Sequence, residues 1–309
     1  MTHAVGLRTY QLFIVKGRGG NYVHPEDEGL SVSLPTLLTQ FTTKFAKANT
    51  VDVQEKTWGM NEVSCDRPGN SVGTVAYGRY GYAATLKNIS TGEQTYRRSR
   101  DESEELNLYY RFWLPDGEKF ALAAFESFSG KSCISLIFDA LKQFFESQNS
   151  GYGLRIRRLM PTGASERIYA GRPVKNLTLV SRKPPSDLAD QLFAGKAKST
   201  RRISITMHSA RNGILGTFED LMSGLPHDGS GVIIHDGIEF DQATAHVRIG
   251  DEIKPIGVFG ASSEVGVIDI TESVTKDDDG LPIFNSIDSE AIKILQAIYE
   301  TMHGHDHED

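Results

Sequence analysis

The sequence predicts an α+β protein in which antiparallel, strand-rich sheets carry a few amphipathic helices, arranged as two lobes. Short runs such as TYQLFIVKG and ATAHVRIG have the period-two apolar pattern of half-buried strands. Longer runs near residues 34–45, 134–145 and 292–299 repeat apolar residues at helical spacing. The two kinds of run do not alternate regularly, which argues against a doubly wound parallel sheet. A length of 309 residues corresponds to about two domains at ~150 residues each. The composition shift through KPPSDLADQLFAGKAKS sets the expected border, giving domains 1–185 and 186–309.

The elements follow in order. TYQLFIVKG opens as a strand, and GRGGNYVHPEDEG is a glycine-rich polar loop. Leu34, Leu37, Leu38, Phe41 and Phe45 mark a helix, with Pro35 tolerated in its first turn after Ser33. NSVGTVAYGRYGYAATLKN reads as a strand pair ending at the turn ISTGEQ, and SRDESEELN as a solvated acidic loop. NLYYRFWLPDGEKFALAAFES is a hairpin whose PDGE turn suggests type I or I′. A helix follows with Ile134, Ile137, Phe138, Leu141 and Phe145 inward. Basic strands come next, then a short helix in PPSDLADQLFAGK capped by Ser186 or Asp187, and a strand in RRISITMHS. GVIIHDGIEFD, ATAHVRIG, KPIGVFG and EVGVIDIT supply further strands. A last helix carries Ile292, Leu295, Ile298 and Tyr299 on one side.

Charge is distributed unevenly. The net charge of −7 hides three regimes: 16 Lys/Arg against 17 Asp/Glu in residues 1–150, 13 against 3 in 151–211, and 4 against 20 in 212–309. The middle block holds the expected contact residues: Arg155, Arg157, Arg158, Arg167, Arg172, Lys175, Arg182, Lys183, Lys196, Lys198, Arg201 and Arg202. In GLRIRRLMP, strand alternation sends Arg155 and Arg157 to one face and Leu154 and Ile156 to the core. Paired guanidinium forks suit phosphate oxygens because arginine stays charged and binds bidentately. Duplex DNA is therefore the expected partner, bound mainly through its phosphates, since no recognition-helix signature occurs. Two alternatives stay open. The block could instead dock an acidic protein, such as a DNA mimic or the −16 third of a second subunit, and the acidic third could form a metal-dependent nuclease.

The chemistry-bearing motifs are sparse. FSGKS follows a strand and opens a helix, but Phe125 stands where a phosphate-binding loop needs its first glycine. Glu239 and Asp241 of HDGIEFD share a strand face while Asp236 points away. Cys65 and Cys133 are too few and too widely spaced for a disulfide framework or a zinc site. His303, His305 and His307 lie in a terminal tail. No catalytic constellation, metal site or cofactor is expected. The absence of a signal-peptide pattern or long apolar run points to a cytoplasmic protein.

The order of elements resembles the RexA-type phage-exclusion proteins of lambdoid phages. LRIRRLMPTGASERIYAGRPVKNLTLVSRKPPSDLADQL carries the likeness, with Gly171, Arg172, Val174 and Lys175 at the matching positions. The hairpin and helix of RFWLPDGEKFALAAFESFSGKSCISLIFDAL and the segment IDITESVTKDDDGLP are also similar. The lysine of SGKS and the acidic C-terminal tail depart from that pattern. The resemblance implies a homodimeric, non-enzymatic DNA-binding sensor or regulator in anti-phage defence and abortive infection. It also implies work with a membrane-embedded effector, while a phage protein is an expected partner where the basic block docks an acidic protein.

Overall fold

The computed structural model describes residues 3–17, 20–159, 169, 171–182, 202–211, 213–225, 233–235, 238–249, 251–260 and 265–304. The chain is α+β and strand-rich, its sheets dominated by antiparallel pairs. It forms two compact units, Tyr10–Arg157 and Met1–Thr9 with Arg158–Asp309. The border expected near residues 183–199, and the short helix with Ser186 or Asp187 at its cap, lie outside the described residues.

In the unit Tyr10–Arg157, the sheet runs β1 (Val5–Lys16), β9 (Phe120–Phe128), β8 (Glu104–Trp113), β5 (Asn70–Arg79), β4 (Lys56–Arg67) and β3 (Asn49–Val51). Two further strands, β2 (Tyr22–Val23) and β10 (Tyr152–Arg158), pair with β1. Helix α1 (Leu34–Lys44) starts after the extended Ser33 with Pro35 in its first turn, where a missing N–H costs nothing. Helix α2 (Ile134–Gln148) buries Ile134, Ile137, Phe138, Leu141 and Phe145, the face its spacing predicts. Tyr10 meets Phe125 and Phe138 edge-on, and Phe45 stacks on Trp58. These contacts make the core below the helices largely aromatic.

The region between residues 70 and 107 differs from its sequence reading. β5 pairs with β4 and β8, while β6 (Ala84–Lys87) pairs with β7 (Gln94–Arg98) in a separate ribbon. The two runs read as one strand pair therefore belong to different sheets. The acidic loop is shorter than expected, because β8 already begins at Glu104. Gly117 alone takes positive φ in the PDGE turn, which fits the third position of a type II turn and not the two positive residues of type I′.

In the other unit, the sheet runs β12 (Ile203–His208), β11 (Pro173–Ser181), β16 (Gln242–Ile249), β17 (Glu252–Phe259), β18 (Ile268–Asp269) and the first residues of β1. β13 (Gly216–Thr217) also pairs with β11, and β14 (Ile233–His235) with β15 (Ile238–Phe240) forms a small hairpin. The run EVGVIDIT yields only the two-residue β18. Helix α4 (Phe284–Gly304) follows the expected last helix and lies along β16. Helix α3 (Phe218–Gly224) was not read from the sequence. Thr217 and Asp220 form a reciprocal capping box that starts it, and Phe218 is fully buried beside Tyr169.

Candidate nucleic-acid interface

The described residues of the basic block are divided between the two units. Arg155 and Arg157 lie on β10 in the unit Tyr10–Arg157, whereas Arg158, Arg172, Lys175, Arg182 and Arg202 belong to the other unit. Arg167, Lys183, Lys196, Lys198 and Arg201 lie outside the described residues.

Strand alternation holds on β10. Leu154 is buried and Arg155 exposed, while Ile156 and Arg157 are each half-buried. Ile156 is thus less deeply buried than expected. Arg155 makes no hydrogen bond or ion pair among the described residues. The Arg157 guanidinium sits 5.1 Å from the centre of the Phe13 ring on β1 and donates to the Tyr22 hydroxyl at 3.4 Å. Tyr22 packs on Phe13 with ring centres 4.7 Å apart, yet keeps 48% of its surface exposed. These side chains, with Val15, Gly20 and Ile156, line an open depression of about 480 Å³. Among the described residues, no carboxylate lines it. Phe13 and Tyr22 were missed in the sequence. Phe13 lies on the odd-numbered face of β1 and Tyr22 follows a glycine loop, so neither position announces that β2 and β10 flank the same strand.

The other cations have structural duties. Arg172 donates to Thr301 on α4, and Lys175 donates to the Gly213 carbonyl at 2.6 Å. Both tie β11 to neighbouring segments. Guanidinium nitrogens of Arg158 are buried. Arg182 and Arg202 are exposed just beyond the last β11–β12 pair, Ser181 with Ile203, and so flank one end of that ladder. Ten residues along β11 separate Arg172 from Arg182, about 30 Å in an extended strand. They cannot grip the same phosphate. The Asp241 carboxylate accepts from the Arg182 backbone N–H at 3.3 Å, placing an acid beside that second pair.

The FSGKS motif is a tight turn. Ser129 and Gly130 take φ of 47° and 79°, and Phe128 and Lys131 exchange backbone hydrogen bonds, the geometry of a two-residue type I′ hairpin turn. The Lys131 ammonium pairs with Glu104 at 3.2 Å. No cradle for a phosphate forms there. Glu239 is exposed on β15, and Asp236 lies outside the described residues. Among the described residues, no three His, Cys, Asp or Glu side chains converge to hold a metal ion. Nor is any described helix long and apolar enough to cross a membrane.

No protein-family model matches this chain, and no curated protein matches it.

Proposed function

We propose that the protein binds DNA through phosphate contacts, with Arg155 and Arg157 as its principal described grip. The observation that supports this reading is the cationic depression on β10, which two arginines enter and no carboxylate of the described residues lines. A guanidinium without an acidic partner at an open surface attracts phosphate oxygens and binds them bidentately. Together with the resemblance to phage-exclusion proteins, this supports reading the chain as a non-enzymatic sensor or regulator of anti-phage defence, acting as a homodimer with a separate effector. Arg182 and Arg202 would supply a further phosphate contact on the other unit.

The test is a salt titration of binding to labelled duplex DNA. If about six phosphates are neutralised, log K falls against log salt with a slope near −5. Replacing Arg155 and Arg157 by alanine should weaken binding by about 1–3 kcal/mol, alike across sequences, and flatten that slope by about 2. Arg158 is left in place because its buried nitrogens would confound the result. Unchanged affinity in a folded double variant removes β10 from the interface. Cleavage that depends on Mg²⁺ would instead favour the nuclease reading, and binding only to acidic proteins the docking reading.

A further inference from the structure

The depression on β10 has features that contact with duplex phosphates does not use. Two guanidinium groups suffice for a backbone phosphate, and such contacts need no aromatic surface. Here Tyr22 presents about half of its surface beside those cations, at 48% exposure. Its ring is not loose. Phe13 packs against it at 4.7 Å, the Arg157 guanidinium donates to its hydroxyl, and β2 pins its backbone through Val15 opposite Tyr22 and Ile14 opposite Val23. Arg157 is itself steadied over Phe13. The result is a pre-positioned aromatic plate next to a fixed cation, with exposed Arg155 on the same strand face.

We infer that this depression takes one unpaired nucleotide of a DNA strand, with its base stacked on Tyr22 and its phosphate held by Arg155 and Arg157; the inference rests on the DNA-binding reading above. Every base has a π-face, so stacking on an aromatic side chain serves single strands without regard to sequence. Bases inside a duplex already stack on their neighbours and cannot reach such a plate. The volume of about 480 Å³ lies within the ~300–1,000 Å³ range of small-ligand sites and suits a single nucleotide unit. The lining balances aromatic and aliphatic walls from Phe13, Val15, Tyr22 and Ile156 against the two arginines. A bare phosphate site would have no use for those walls. The preferred DNA would then carry a frayed end, an overhang or a gap, which is a more selective ligand than duplex alone.

The experiment compares, on the full chain, anisotropy titrations of a labelled oligo-dT strand and a labelled blunt duplex of equal length. The variants are Tyr22→Ala, Tyr22→Trp and the double variant R155A/R157A, each checked for an unchanged thermal melt. Tyr22→Ala should weaken binding to the single strand about tenfold and leave the duplex within about twofold, while Tyr22→Trp keeps strand binding. The double arginine variant should weaken both probes. If Tyr22→Ala weakens neither probe, or both equally, the stacking inference is overturned while the DNA-binding reading survives. If R155A/R157A binds both probes as the wild type does, β10 is not part of the interface and the inference fails while DNA binding elsewhere stands; if the wild type binds neither probe, the DNA-binding reading itself fails, and the inference with it.

Discussion

Glu126 on β9 is a carboxylate with 2% of its surface exposed, accepting the Tyr109 backbone N–H at 2.8 Å. Burial pushes its carboxyl up to about 7, and that hydrogen bond only partly opposes the shift. In the unfolded chain the group ionises near 4.5, so between about 4.5 and 7 the folded state keeps a proton that the unfolded state has lost. Stability from this group is therefore present at low pH and declines as pH rises through that window. The loss should be on the order of 3 kcal/mol. Glu126→Gln should remove the decline, so its melting temperature relative to wild type should rise between pH 5 and pH 8; parallel curves would refute the assignment. Lys254 is instead a buried cation held by charged partners. Its ammonium, 4% exposed, donates to Ser273 at 2.6 Å and pairs with Glu290 at 2.7 Å and Glu252 at 2.5 Å. Lys254→Met strands the buried Glu290 carboxylate and should cost about 3–5 kcal/mol in denaturant unfolding. Lys293 lies 3.7 Å from Glu290 and offsets part of that cost. Adding Glu290→Leu should recover most of the loss. At this scale, the arginines of β10 were legible through strand alternation, because charge and period are local properties. The sequence hid Tyr22 and Phe13, whose meeting with Arg157 depends on strand pairing across more than a hundred residues.

Elements differ in how far local chemistry determines them. Helices α1 and α2 were legible because apolar spacing, Pro35 and the glycine after the second helix are all local signals. Strand partners were not, since β5 and β6 lie in one run of small and aromatic residues, NSVGTVAYGRYGYAATLKN, but join different ladders. Helix α3 spans seven residues, too short for periodicity, and its only advance sign was the threonine and aspartate three apart in TFED. That box holds it in place. Thr217→Ala should cost about 1 kcal/mol of stability, measured by chemical denaturation. The turn after β9 makes a similar demand on the backbone. A Cβ added at Gly130 would meet nothing within 4 Å, so any penalty arises from its φ of 79° alone. Gly130→Ala should therefore destabilise by about 1 kcal/mol without disturbing packing.

Across the whole molecule, the α+β class was readable from the mixture of periods, but the route of the chain was not. The unit Tyr10–Arg157 is continuous, while its companion is built from Met1–Thr9 and Arg158–Asp309. No composition shift marks Tyr10, which sits inside the uninterrupted strand β1, so a border there leaves no trace in the sequence. The continuous unit begins and ends on neighbouring strands, with the Gly17 N–H bonded to the Gly151 carbonyl and the Leu159 N–H to the Thr9 carbonyl. Residues 10–157 expressed alone should therefore fold, and a cooperative melt would show it; a broad, non-cooperative transition would not be consistent with an inserted unit. The same arrangement imposes a timetable on synthesis. Gly6 and Leu7 leave the ribosome ahead of their partners Asp269 and Ile268, which follow about 260 residues later. At about 5–20 residues per second, that strand waits from about ten seconds to nearly a minute with its hydrogen-bonding edge unsatisfied. Nascent chains on one message carry the same waiting edge, so crowded translation favours exchange of this strand between copies, and chaperone capture of that strand would protect the yield.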